Sequence, residues 1–207
     1  LMNMAACFIV ILINQGLKRH GGDLAIGAFG IVNRLVYIVV MIVMGLNQGM
    51  QPIAGYNYGA QLYQRVTKVL KLTIVYATVV TTLGFAVGMA VPRLVVSIFT
   101  SDAELIDLSA RGLRIIVMFF PIIGFQMVTA NFFQSIGMAG KAIFLSLSRQ
   151  LLILLPCLLI LPHFFGALGV WISMPVSDLL ASIIAAVMLL MQFRKFHKAA
   201  ARQSASA

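Results

Sequence analysis

The chain has 207 residues, 61% hydrophobic and 10% charged, and a formal net charge of +10 from 15 Lys plus Arg against 5 Asp plus Glu. Soluble domains average about 25% charged residues, so this composition points to lipid. Cytoplasmic loops of membrane proteins collect Lys and Arg, and no basic run is interleaved with exposed aromatics, so a nucleic-acid partner is not expected. The chain has no HExxH, GxSxG, phosphate-loop or dinucleotide fingerprint, and its three His form no close pair with each other or with Cys. No enzyme activity, metal or cofactor is expected from it.

A crossing helix needs about 20 mostly apolar residues. Six stretches qualify as candidates: 1–17, 25–50, 69–91, 115–136, 143–161 and 167–190. The fold class is therefore all-α, a polytopic membrane protein with a six-helix unit over 1–192. A basic tail follows at 193–207 and reads as a disordered end. The chain opens at Leu1 inside an apolar run with no charged region before it, and is expected to be a piece of a longer protein. Cys7 and Cys157 fall within apolar runs and read as small buried hydrophobes.

In the first span, Asn3, Asn14 and Gln15 need protein or water partners, and Lys18 to Asp23 form the first turn. In the second, Asn33, Tyr37, Met41, Met44, Gln48 and Gln51 recur at steps of three and four, which puts them on one stripe. Such a stripe either lines a cavity or packs against another helix through amide hydrogen bonds. Arg34 adjoins it, a charge rarely idle at that depth. Pro52 cannot donate into a helix, so the second helix is expected to end near it and turn through Tyr56 to Gly59. Ser101 and Glu104 are spaced as a capping box for the next helix. Pro121 predicts a kink inside the fourth span, and beyond it Met127, Asn131, Gln134 and Met138 form a second polar and Met stripe. The fifth span carries Arg149, Gln150 and Pro156 and is expected to stop at Pro162; the sixth carries Trp171, Pro175 and Asp178.

Six spans put both ends on one side. That side collects eight cations, Arg65, Lys68, Lys71, Lys141, Arg194, Lys195, Lys198 and Arg202, against Lys18, Arg19, Arg93, Arg111 and Arg114 opposite. The positive-inside bias places both ends in the cytoplasm. Asp178 is the only carboxylate within a span. Counting depth from the span ends pairs it with Arg34 better than with Arg149, and a structural ion pair is favoured over a coupling-ion site.

The stretch Gly45 to Ala60, GLNQGMQPIAGYNYGA, resembles the end of the second helix in the C-terminal half of the MATE family (multidrug and toxic compound extrusion transporters). GGDLAIGAFGIVNR, SIFTSDAELI, FFPIIGFQMVTANFFQSIGMAGKAIFLSLSRQLLILLP and ALGVWISMPVSDLLA resemble later blocks of the same half, in order and at matching spacing. The resemblance implies the C-terminal six-helix lobe of a twelve-helix antiporter of the bacterial inner membrane. It also implies a missing N-terminal lobe as partner, small organic and often cationic substrates, and H⁺ or Na⁺ as coupling ion. Some branches place acidic residues in helices one and four of this lobe; here 1–17 and 115–136 contain none, so coupling is expected in the absent lobe. A lipid-linked precursor flippase of the same superfamily is the alternative, and it predicts several cations lining the cavity. A non-transporting scaffold or gene remnant is a third reading.

Overall fold

The computed structural model describes the backbone of residues 2–205 and the side chains of residues 7–196. The side chains of Asn3, Lys198 and Arg202 lie outside the described residues. The described chain is helical throughout, without a strand: α1 (Met2–Gly59), α2 (Tyr63–Ala90), α3 (Pro92–Ser97), α4 (Ala103–Val117), α5 (Phe120–Ser135), α6 (Ala139–Leu147), a π-helical segment (Ser148–Leu154), α7 (Leu155–Phe165) and α8 (Ala167–Ala205).

Length and hydropathy pick out four crossing helices among the described residues, or five when α4 and α5, bent by 55° at their junction, count as one. The first of these runs 53 residues, Cys7–Gly59. A straight helix of that length would be about 80 Å long, against a hydrocarbon core of about 30 Å. It is not one helix: Gly22 sits at φ 69°, ψ −166°. That conformation belongs almost solely to glycine, and it divides α1 into two crossing segments, 2–21 and 23–59. With that division, and with α4 and α5 taken as one bent span, the described chain has six apolar helical segments.

Several boundaries differ from the sequence expectation. Segment 23–59 runs straight through Pro52, and the turn comes only at Ala60–Leu62. One missing N–H does not end a helix whose neighbours hold it: Ala54 and Asn57, beyond the proline, are buried. α7 likewise passes through Pro162, which is buried, and stops at Gly166. Pro121 does not kink a continuous helix but opens a new one at the first turn of α5, where its missing N–H costs nothing. The cap of α4 is Asp102, not Ser101; its Oδ1 accepts from the Glu104 N–H at 2.9 Å and the Leu105 N–H at 3.3 Å. Asp107 pairs on the surface with Arg93 at 2.8 Å. The backbone of α8 continues to Ala205, where a disordered tail was expected. Its end is held by Phe196, stacked on Tyr63 at 5.3 Å and close to Tyr58 and Phe132, and by Gln192, which accepts from Lys141 Nζ at 2.7 Å.

The interior has two apolar clusters stacked along the bundle. One gathers Ile13, Leu17, Phe29, Val32, Leu113 and Trp171 at the Gly22 end; the other gathers Met50, Leu70, Phe132, Phe133 and Phe196 at the opposite end. Met127 packs against both. Buried hydroxyls mostly return to their own helix, as in Thr81 to Ala77 O at 2.9 Å, Thr129 to Phe125 O at 2.8 Å and Ser173 to Gly169 O at 2.7 Å. This satisfies the hydroxyl without water, which a helix in lipid requires. Large apolar side chains such as Val75, Leu83, Leu159 and Phe164 point outward. Cys7 is exposed and Cys157 half-buried, so neither is the core residue its apolar surroundings in sequence suggest.

Candidate functional site

Segment 23–59 turns Val32, Val43, Asn47, Met50 and Ala54 inward, all nearly inaccessible. The stripe therefore faces out of the lobe: Asn33, Tyr37, Met41, Met44 and Gln48 are all exposed. Packing within the lobe does not account for Tyr37, Met41, Met44 and Gln48, whereas Asn33, though exposed, also borders a cavity between the helices. Pro52 adds to the polarity of that face, because without its N–H the Gln48 carbonyl lacks its helical donor. Gln51, half-buried at the margin, is the point of contact with the second stripe: its Nε2 lies 3.4 Å from Asn131 Oδ1, while Asn131 Nδ2 donates to Met127 O at 2.9 Å. Gln134 is exposed one turn further along α5. The two stripes thus meet along one margin of the lobe.

Asp178 is 4% exposed and pairs with Arg149, Nε to Oδ1 at 2.7 Å. It does not pair with Arg34, which is exposed on α1. The depth argument erred at the start of the fifth span. That helix begins at Ala139, not at 143, so Arg149 lies 10 residues in, about 15 Å deep. Asp178 lies 11 residues beyond Ala167, about 16 Å from the other end of a core about 30 Å thick, so the two depths coincide. The contact is a close ion pair between two side chains of very different exposure, 35% for Arg149 and 5% for Asp178.

Arg149 stands on the π-helical segment. Just beyond that segment lies Pro156, whose ring would meet the Leu152 carbonyl in a regular α-helix. Widening to the π form, closed by the Leu155 N–H bonding to the Gln150 carbonyl, relieves that clash and rotates the residues before it. Arg149 borders two cavities. One, of about 180 Å³, is faced by Asn33, Met127, Ser177 and Asp178; the other, of about 160 Å³, is faced by Gln126, Asn131, Gln134, Ser146 and Gln150. Sequence reasoning passed over Gln126 and noted Gln150 only as a polar residue of the fifth span, because neither falls on a stripe; their one signal is a carboxamide in mid-span. Tyr37, Met41, Met44 and Gln48 border neither cavity. Among the described residues no group of His, Cys, Asp and Glu could hold a metal ion.

The MatE family model matches residues 1–159. Multidrug export protein MepA of Staphylococcus aureus strain MSSA476 is 26% identical over 185 residues, 89% of this chain and 40% of that protein. MepA of Staphylococcus haemolyticus is 25% identical over 175 residues. The chain thus spans about two fifths of the length of the curated relatives it matches. Among solved structures, the MATE multidrug transporter DinF-BH, in a complex, superposes with a TM-score of 0.80 at 39% identity, covering 92% of this chain and 43% of that one. MATE in the bent conformation superposes with a TM-score of 0.89 at 20% identity, covering 97% of this chain and 44% of that one, a likeness of fold.

Proposed function

From the premise that the chain belongs to the MatE family, we propose that it forms one six-helix lobe of a multidrug exporter, and that its α1 and α5 stripes form one wall of the substrate path. The observation that carries this is the exposure of Asn33, Tyr37 and Gln48 from their own lobe. Amides at membrane depth are poorly tolerated by lipid and call for protein or water opposite them. A facing lobe with water between supplies both. Met41 and Met44, flexible and polarisable, suit a surface that accepts organic compounds of varied shape. Tyr37 offers a ring face to an organic cation. Two such lobes rocking about the cavity give alternating access, driven by an H⁺ or Na⁺ gradient. The cation excess at the Ala60–Leu62 end supports a cytoplasmic side for both ends of the segment, in what we read as a bacterial inner membrane.

The flippase reading calls for several free cations on the cavity wall. Arg149 is engaged by Asp178, and Arg34 is the one cation beside the α1 stripe. The exporter reading fits better.

The test is transport by the complete protein in inside-out vesicles, with a fluorescent cationic dye and imposed H⁺ or Na⁺ gradients. Gradient-driven dye accumulation is expected with one of the two ions. Dye levels indifferent to both gradients would sink the coupled-export reading.

A further inference from the structure

The 160 Å³ cavity beside Arg149 contains two buried acceptors without a partner, Gln126 Oε1 and Gln150 Oε1. Buried carbonyl oxygens are rarely left unpaired, and each such vacancy costs about 1–3 kcal/mol. The guanidinium at the cavity wall has five N–H donors in a rigid fork. Asp178 occupies the approach from one side only, at 2.7 Å. Arg149, paired with Asp178, thus also borders a cavity shared with Gln126 and Gln150, whose side-chain oxygens have no protein partner.

We infer that Asp178 is a proton-binding site and that the Gln126–Gln150 cavity is the second seat of the Arg149 guanidinium, occupied when Asp178 carries its proton. The proton comes from water and adds to a carboxylate oxygen of Asp178; Arg149 keeps all of its protons and changes only its partners. With Asp178 neutral, the attraction that holds the fork across the 180 Å³ cavity is gone, and the two carboxamide oxygens become its best acceptors. Among the described residues lining this cavity, Arg149 and Asp178 are the charged ones. Asn33 is the polar group facing Asp178 from α1, α4 and α5 present apolar side chains, Ser177 is its neighbour on α8, and Arg149 comes from the π-helical segment. The π form favours such a movement, since single-turn widenings recur at functional sites and ease a change of register. The inference rests on this geometry and not on the export reading, which it would supply with a proton-linked displacement inside this lobe.

The test uses thermal midpoints of the complete protein, unmodified and as Gln126→Leu/Gln150→Leu, across a pH series. Replacing an unpaired buried acceptor by an apolar group is neutral or stabilising, so near neutral pH the Leu variant should match or exceed the unmodified protein. On acidification the Leu variant should fall behind by about 2–4 °C or more, because only the protonated state uses the second seat. Parallel curves at every pH would overturn the proposal. In an Asp178→Asn background the same gap should be present at all pH values, and a gap that still varied with pH would overturn it too. If Asp178→Asn does not accumulate as folded protein, adding Gln126→Glu should restore it by placing a carboxylate at the second seat; failure to restore it counts against the seat. A pH-dependent gap without gradient-driven dye transport would uphold the seat and remove the export reading; transport with parallel curves would do the reverse.

Discussion

Asp178 and Arg149 show how much hangs on a few residues at this depth. Losing Arg149 leaves a carboxylate that is 4% exposed with no counter-charge, whereas losing Arg34 removes a cation that already faces outward. Arg149→Gln in the complete protein should therefore cost about 3 kcal/mol, at the lower end for a broken buried pair because the Arg149 side chain is 35% exposed. Arg34→Gln should leave the thermal midpoint within about 1 °C. Equal losses from both would mean that Arg34 shares the burden of Asp178 with Arg149. On the stripe, Tyr37→Leu and Gln48→Leu should leave membrane abundance intact, since neither side chain is held within the lobe. Resistance to individual drugs should shift by roughly 2- to 10-fold, the span of one or two modest polar contacts. Resistance profiles matching the unmodified protein for every compound would return the stripe to a surface without a role in transport.

Helices here are placed by where they are allowed to touch. A Cβ on Gly124 would come within 2.8 Å of the Ala77 carbonyl oxygen and 2.9 Å of Thr81 Oγ1, so α5 crosses α2 at a distance only glycine permits. Gly124→Ala should push the two helices apart at about 1–3 kcal/mol. Gly140, on α6, would meet nothing within 4 Å, and Gly140→Ala should be neutral or stabilise by up to about 1 kcal/mol. Thermal midpoints of the two variants side by side would check this; a Gly124→Ala protein as stable as the Gly140→Ala protein would contradict the close crossing. The elements also show which punctuation is readable. Gly22 and Pro121 interrupt helices near where the sequence suggests, because a left-handed backbone or an opening turn suits them. Pro52 and Pro162 do not, because the tertiary contacts of the residues around them outweigh one lost hydrogen bond.

On the scale of the molecule, the two apolar clusters and the latch of Phe196, Tyr58 and Tyr63 make the six crossing segments one packed body. On the proposed reading, a packed lobe with an exposed polar wall is half of a path. Residues 1–207 expressed alone should insert into the membrane but confer no drug resistance, because alternating access needs two bundles moving against each other. Growth of drug-treated cells checks this, and resistance from the isolated segment without evidence of a homodimer would refute it. Sidedness has its own measurement: a single cysteine placed at Ala60 should react with an impermeant thiol reagent in inside-out vesicles, and one placed at the exposed Arg19 should react in intact spheroplasts. The reverse pattern would invert the orientation read from the cations.

Span number, the polar stripes, the cation asymmetry and the likeness to the MATE family were all present in the amino-acid order. They are properties of short windows: a run long enough for the bilayer, or a residue type recurring every three or four positions. Which way each stripe faces was not, because rotation of a helix about its axis is settled by its neighbours, and Val32, Val43 and Met50 point inward only once α2 and α5 are in place. The partner of Asp178 was hidden for a related reason. It turned on the true start of α6 and on the widened turn before Pro156, shifts of a few residues that leave the hydropathy pattern unchanged yet move a side chain to another face. The cavity of Gln126 and Gln150 lies further still from the sequence, since it is a space between helices and exists only where α5 and the π-helical segment come together.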